Sequence, residues 1–156
     1  MDYPADNSYT LLIVDDNKAH IRLIREAFRE SSSSPQIESV NDGIEALNYL
    51  YRQEGFVDAP RPSLILLDLN LPRKNGREVL ADIKTDPTLK NIPVIVLSTS
   101  RSEDDIRSCY SLHANCYIRK PSNLKQLLTV VKRIGEYWFQ TAYLPAFLDP
   151  LDGLST

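Results

Sequence analysis

Three short, nearly unbroken runs of branched apolar residues constrain this 156-residue chain more than any other feature. They are Leu11-Leu12-Ile13-Val14, Leu64-Ile65-Leu66-Leu67 and Val94-Ile95-Val96-Leu97. A strand with water on one face alternates polar and apolar residues. An unbroken run means that both faces are covered, as in a parallel sheet sandwiched between helices. Two weaker runs, Ile37-Glu38-Ser39-Val40 and Asn115-Cys116-Tyr117-Ile118, fit as the remaining strands. Between the runs the apolar period turns helical. Ile21, Ile24 and Phe28 form one stripe; Ile44, Leu47, Leu50 and Tyr51 a second; Val79, Leu80 and Ile83 a third. A fourth helix is predicted from Ser102, which can cap the acidic first turn Glu103-Asp104-Asp105. The fifth carries Leu124, Leu127, Leu128, Val131, Ile134 and Trp138 at spacings of three or four. Strand–helix alternation repeated five times predicts an α/β fold, a doubly wound five-stranded parallel sheet with five helices on its two faces.

The connections set the domain limits. Ser31 to Pro35 reads as an exposed helix-to-strand loop, and Gly55 to Ser63, with Pro60 and Pro62, lengthens the entry to the third strand. After about Phe139 the period fades into a tail marked by Tyr143, Pro145, Phe147 and Pro150. The expectation is one folded domain over residues 9–139, an N-terminal tail at 1–8 and a C-terminal extension at 140–156, with no room for a second domain. A chain of this size can bury a core without staples. Cys109 and Cys116 match no zinc or redox spacing and read as reduced thiols. A net charge of −3 with no basic stripe argues against binding DNA. No run of 18 apolar residues is present to span a membrane, and the acidic start is unlike a signal peptide, so the cytoplasm is the expected location.

Ligands of such a sheet bind outside the carboxyl ends of its strands. The first strand runs into Asp15-Asp16, the third ends at Asp68, the fourth at Ser98-Thr99-Ser100 and the fifth at Arg119-Lys120-Pro121. Three acids, a hydroxyl and a lysine therefore meet at one edge. Clustered carboxylates repel and call for a cation, and an all-oxygen site with an open face suits Mg²⁺. Asp15, Asp16, Asp68 and the backbone carbonyl of Asn70 are the candidate ligands. A carboxylate can attack phosphorus, and phosphoryl transfer needs charge neutralisation, which Mg²⁺ and Lys120 can supply. Asp68 is the candidate phosphoacceptor, and Ser98 would donate to a phosphoryl oxygen. His20, next on the first helix, is expected to face solvent or a kinase; His113 is expected at the end of the fourth helix, and Arg73-Lys74 as a solvated pair.

This set of residues resembles the receiver domains of two-component response regulators. The match comprises Asp15-Asp16, Asp68 within Leu66-Leu67-Asp68-Leu69-Asn70-Leu71-Pro72, Gly76, Ser98 thirty residues after Asp68, and Lys120-Pro121 a further 22 on. It spans roughly residues 8 to 139. The resemblance implies a flavodoxin-like receiver fold, an aromatic switch residue at Tyr117 working with Ser98, structural roles for Gly76 and Pro121, and a cis Lys120–Pro121 bond. A finer similarity, to the response regulators of cyanobacterial phytochromes, lies in Ala59-Pro60-Arg61-Pro62-Ser63 leading into the third strand, in Gly76-Arg77-Glu78-Val79-Leu80, in Asn115-Cys116-Tyr117 and in Tyr137-Trp138-Phe139. It implies a light-sensing histidine kinase as phosphodonor.

The expected function is thus a single-domain response regulator. It would be a switch, not an enzyme, catalysing only its own phosphorylation and dephosphorylation and signalling through changed protein–protein interaction. A phosphatase-type hydrolase would need a second acid two residues after the nucleophile, where this chain has Asn70. A flavodoxin-like redox protein would need neutral or basic donors in the acidic first loop. A module that is never phosphorylated would tolerate loss of Asp68 or Lys120. A homodimer is expected through the fourth helix, fifth strand and fifth helix, extended by the C-terminal extension. Val130, Tyr137, Phe139, Tyr143, Leu144, Phe147 and Leu148 offer more apolar area than a free tail should expose; the alternative is a tail folded over its own sheet.

Overall fold

Each central strand sends alternate side chains into two separate cores, which is why its residues are apolar without interruption. The computed structural model describes residues 9–29 and 34–145. The strands are β1 (Thr10–Val14), β2 (Gln36–Val40), β3 (Leu64–Leu67), β4 (Val94–Ser98) and β5 (Cys116–Arg119). The helices are α1 (Lys18–Arg29), α2 (Gly43–Leu50), α3 (Gly76–Thr85), α4 (Glu103–Ser111) and α5 (Leu124–Gly135). All pairings are parallel, in the order β2-β1-β3-β4-β5. This is the predicted doubly wound five-stranded sheet.

Leu12, Val14, Ile65, Leu67, Val94 and Val96 face α2, α3 and α4, while Leu11, Ile13, Leu64, Leu66, Ile95 and Leu97 face α1 and α5. Each such leucine or isoleucine, fully buried, contributes about 1.5–3 kcal/mol. The stripes of α1 and α3 are buried as expected, and Ser102 caps α4 by accepting from the Asp105 amide. His113 lies two residues beyond α4, with φ 71°. The free thiols are Cys109, buried, and Cys116, half-buried.

Several expectations need correction. In α2 the buried positions are Gly43, Ala46 and Tyr49, while Ile44, Leu47 and Leu50 are half-buried and Tyr51 is exposed. The start of α2 touches the loop after β3 so closely that a Cβ on Gly43 would sit 2.0 Å from the Lys74 carbonyl oxygen, so no side chain fits at that position. In α5, Leu124 is 53% exposed because it opens the helix, outside the core. The Lys120–Pro121 peptide is trans, as are all others among the described residues. Trans is the lower-energy isomer of an X–Pro bond by about 0.5–1 kcal/mol.

The helical winding continues past α5 as a π-helical turn over Glu136–Thr141. It returns Phe139 and Leu144 to the α1 face, with Phe139 5.4 Å from the Tyr9 ring and 6.0 Å from the Phe28 ring. These two side chains are therefore internal, as the alternative of a folded-back tail supposed, while Tyr137 and Tyr143 stay exposed. The N-terminal tail at 1–8, Ser31 to Ser33 of the serine loop, and Phe147, Leu148 and Pro150 lie outside the described residues.

Candidate functional site

The order of the sheet reverses between β1 and β3, and a crevice opens at their carboxyl ends. Asp15 and Asp68 are the residues that leave those two strands. One oxygen from each of Asp15, Asp16 and Asp68 can be chosen so that all three lie within 4.8 Å of one another. Such a set fits a small hard cation: the donors are all oxygen, the charge is concentrated, and Asp16 leaves one side open to water. Asn70 follows on the same loop, its amide donating to Asp68 Oδ1 at 3.2 Å.

Lys120 enters from the end of β5. Its ammonium is buried and donates to Asp15 Oδ2 at 2.8 Å and to Asp68 Oδ2 at 3.5 Å. Asp15 is held further by the Asn17 amide, 2.8 Å from Oδ1. Ser98 is completely buried; its backbone carbonyl accepts from the Lys120 amide at 2.6 Å, and its Oγ accepts from the Ser100 amide at 3.2 Å. Gly76 shows why the start of α3 bears no side chain there. A Cβ would lie 2.2 Å from the Asp68 carbonyl oxygen and 2.6 Å from Leu69 Cα.

Burial pushes the Asp68 carboxyl above its ordinary range; the Asp15 charge adds to this, while Lys120 and the Asn70 amide oppose it. The folded chain thus holds a proton at pH values where the unfolded chain has released it. Stability therefore falls as pH rises from the ordinary carboxylate range through the raised value, and stays lower above it. In buffer free of divalent cations, Asp68→Asn is expected to melt higher than the wild type at pH 7. The gap should close below about pH 3, where Asp68 is protonated in both states. Equal melting temperatures at pH 7 would contradict this.

Two features escaped the sequence reading. His20 turns inward, with Nδ1 3.1 Å from Lys120 Nζ and 3.9 Å from Asp15 Oδ2. Burial and the Lys120 charge lower its pKa, so the ring is neutral and accepts from the ammonium. The available signal was its place in the first turn of a helix that starts at the site and is capped by Asn17 Oδ1. The second feature is a chain of contacts leading away from Ser98. Ser100 Oγ bonds Asp105, Asp105 pairs with Arg77, and the Tyr117 phenol donates to the Ser100 carbonyl at 2.9 Å. Tyr117 is already half-buried. Arg73 and Lys74 are not merely solvated, since they pair with Asp42 and Asp82.

Comparison with known proteins agrees with this architecture. The response regulator receiver domain model matches residues 11–132. Response regulator Rcp1 of Synechocystis sp. PCC 6803 is 48% identical over 136 residues, covering 87% of this chain and 92% of that one. Among solved structures, the phosphorylated cyanobacterial phytochrome response regulator RcpA superposes with a TM-score of 0.85 at 57% identity, covering 88% of this chain and 98% of the other. The Mn²⁺-bound form of Rcp1 gives a TM-score of 0.85 at 47% identity, covering 88% and 99%. With that family model spanning most of its length, this chain belongs to the response regulator receiver domain family.

Proposed function

We propose that the protein is a phosphorylation switch of a cytoplasmic two-component relay, in which Asp68 takes a phosphoryl group from a phosphohistidine of a sensor kinase of the phytochrome type. The observation that carries this reading is the meeting of Asp15, Asp16 and Asp68 with the Lys120 ammonium at the switch point of the sheet. In the transfer, an Asp68 carboxylate oxygen forms the new bond to phosphorus and the P–N bond of the donor breaks. Its electron pair returns to the imidazole, which takes up a proton from water. Asp15, Asp16, Asp68 and the Asn70 carbonyl would hold Mg²⁺, which when bound neutralises charge on carboxylate and phosphoryl oxygens. Relatives support both parts, since Rcp1 has a Mn²⁺-bound form and RcpA a phosphorylated one.

Lys120 sits within reach of a product oxygen and stays fixed by Asp15. Ser98 has its hydroxyl proton free to donate, since its Oγ accepts from the Ser100 amide. Drawing Ser98 toward a phosphoryl oxygen pulls on Ser100, hence on the Tyr117 phenol and on Asp105. The switch is thus the β4–α4 loop, biased by one local charge change. Phosphotransfer from the histidine kinases of the same cell tests the reading, and rapid labelling by one phytochrome-type kinase is expected. Ser98→Ala should still accept phosphate but lose most of the phosphorylation-dependent change in partner affinity, on the order of tenfold. An unaltered affinity change would remove Ser98 from the mechanism.

The partner surface includes a second copy of the chain. Tyr110 on α4, Leu124 on α5, and Tyr137 and Tyr143 beyond it are exposed by 49–70%. They supply apolar and aromatic area on the α4-β5-α5 side and its extension. A two-fold pair would bury the same patch on each subunit. Light scattering on the full chain should give a dimer mass, and a chain ending at Gln140 should dimerise less. A monomer mass at micromolar concentration, phosphorylated and not, would reject the dimer.

A further inference from the structure

At the opposite end of β3 from Asp68, a cavity of about 300 Å³ opens between the end of α2, the 51–63 loop and the loop entering β4. Two arginines, Arg52 and Arg61, line it together with Tyr49, Pro62 and Leu89. Arg61 is half-buried and lies between Pro60 and Pro62, whose rings fix the backbone on either side of it. Among the described residues its guanidinium has no hydrogen bond and no ion pair. Arg52 spends only Nε, donating to the Ala59 carbonyl at 3.0 Å, so its two terminal nitrogens carry no bond to the described residues. It adopts φ 54°, a left-handed backbone that a non-glycine residue takes only where the surroundings hold it.

The acid whose charge acts on Arg61, Asp86, is already engaged. Its Oδ1 accepts from the Thr88 amide and hydroxyl, each at 2.7 Å, and its Oδ2 accepts from the Tyr51 hydroxyl at 2.7 Å. It therefore meets neutral donors rather than a guanidinium. Arg61 is partly desolvated and repelled by the exposed Arg52, and among the described residues only the Asp86 charge, itself bonded to neutral donors, acts against this. A guanidinium fork matches two oxygens of a phosphate or carboxylate, and two forks match a dianion. The cavity is at the small end of the range for organic ligands, with an apolar wall from Tyr49, Pro62 and Leu89 beside the charges.

We propose that this cavity binds a small phosphate monoester, its dianion held by Arg61 and Arg52 and its organic part against Tyr49, Pro62 and Leu89. The site is independent of the phosphoacceptor, which lies beyond the other end of β3. The test uses the full chain carrying Asp68→Asn, in buffer without divalent cations and at constant ionic strength, so that the acidic site takes up no phosphate. Calorimetric titration with phenyl phosphate should show saturable one-site binding, weaker with inorganic phosphate and absent with phenol. Adding Arg61→Gln should weaken it at least tenfold and Arg52→Gln less, with Arg61→Lys falling between the wild-type residue and glutamine. Circular dichroism and melting of each variant without ligand verify that the fold is kept. Affinity unchanged by Arg61→Gln, or no saturation at millimolar phenyl phosphate, would overturn the proposal.

Discussion

Asp68→Asn is expected to take up no phosphate from acetyl phosphate and Mg²⁺ under conditions in which the wild-type chain gains one phosphate mass. Three carboxylates share the crevice, and their surroundings separate them. Asp15 is buried with both oxygens engaged, Oδ1 by the Asn17 amide and Oδ2 by Lys120 at 2.8 Å. Asp16 is exposed on the loop after β1. Asp68 lies between these extremes, partly buried, with its Oδ2 at the longer distance of 3.5 Å from the same ammonium. It follows β3, whose hydrogen-bonded neighbour β4 ends at Ser98. Loss of the reacting oxygen removes the reaction rather than slowing it, because the amide is no nucleophile toward phosphorus. Undiminished uptake by the variant, read by intact-mass spectrometry, would move the acceptor elsewhere.

Gly76→Ala is expected to damage both stability and phosphoryl uptake, and Gly55→Ala only stability. At Gly76 the new methyl meets backbone atoms of Asp68 and Leu69 at 2.2 and 2.6 Å, and backbone cannot rotate away as a side chain does. The cost should be about 3 kcal/mol or more, the upper end of overpacking. Relief can come only by moving α3 off the Asp68 loop, which displaces the Asp68 carboxylate. Gly55 has φ +94° and nothing within 4 Å of an added Cβ. Its replacement costs roughly 1–2 kcal/mol of backbone strain alone, away from the site. Urea denaturation midpoints with acetyl phosphate uptake separate the two. Equal losses, or intact uptake by Gly76→Ala, would mean that α3 does not position Asp68.

The sheet was legible because burial on both faces leaves β3, residues 11–14 of β1 and residues 94–97 of β4 apolar throughout, and the strand ends were legible because they converge in such a sheet. Position along a strand sufficed to foresee that Asp15, Asp68 and Lys120 come together. Helix faces were less readable where close approach, not hydrophobicity, decides orientation. Gly43 and Ala46 turn α2 inward by being small, so Ile44 and Leu47 gave a misleading stripe. His20 was misplaced because a helix-surface histidine and one reaching a buried lysine look alike in one dimension. The Arg77–Asp105 pair joins residues on α3 and α4, far apart in the chain, without any local pattern. The return of Phe139 and Leu144 depends on the π-helical turn, which no apolar period announces.

Borohydride trapping identifies the residue that carries the phosphoryl group. An acyl phosphate on an aspartate is reduced to homoserine, whereas phosphate on serine, threonine or histidine is not. After phosphorylation with Mg²⁺ and acetyl phosphate, reduction and peptide sequencing by mass spectrometry should place homoserine at position 68 and nowhere else. Phosphate found on Ser98 or His20, or homoserine at position 15 or 16, would contradict the assignment of Asp68 as the acceptor.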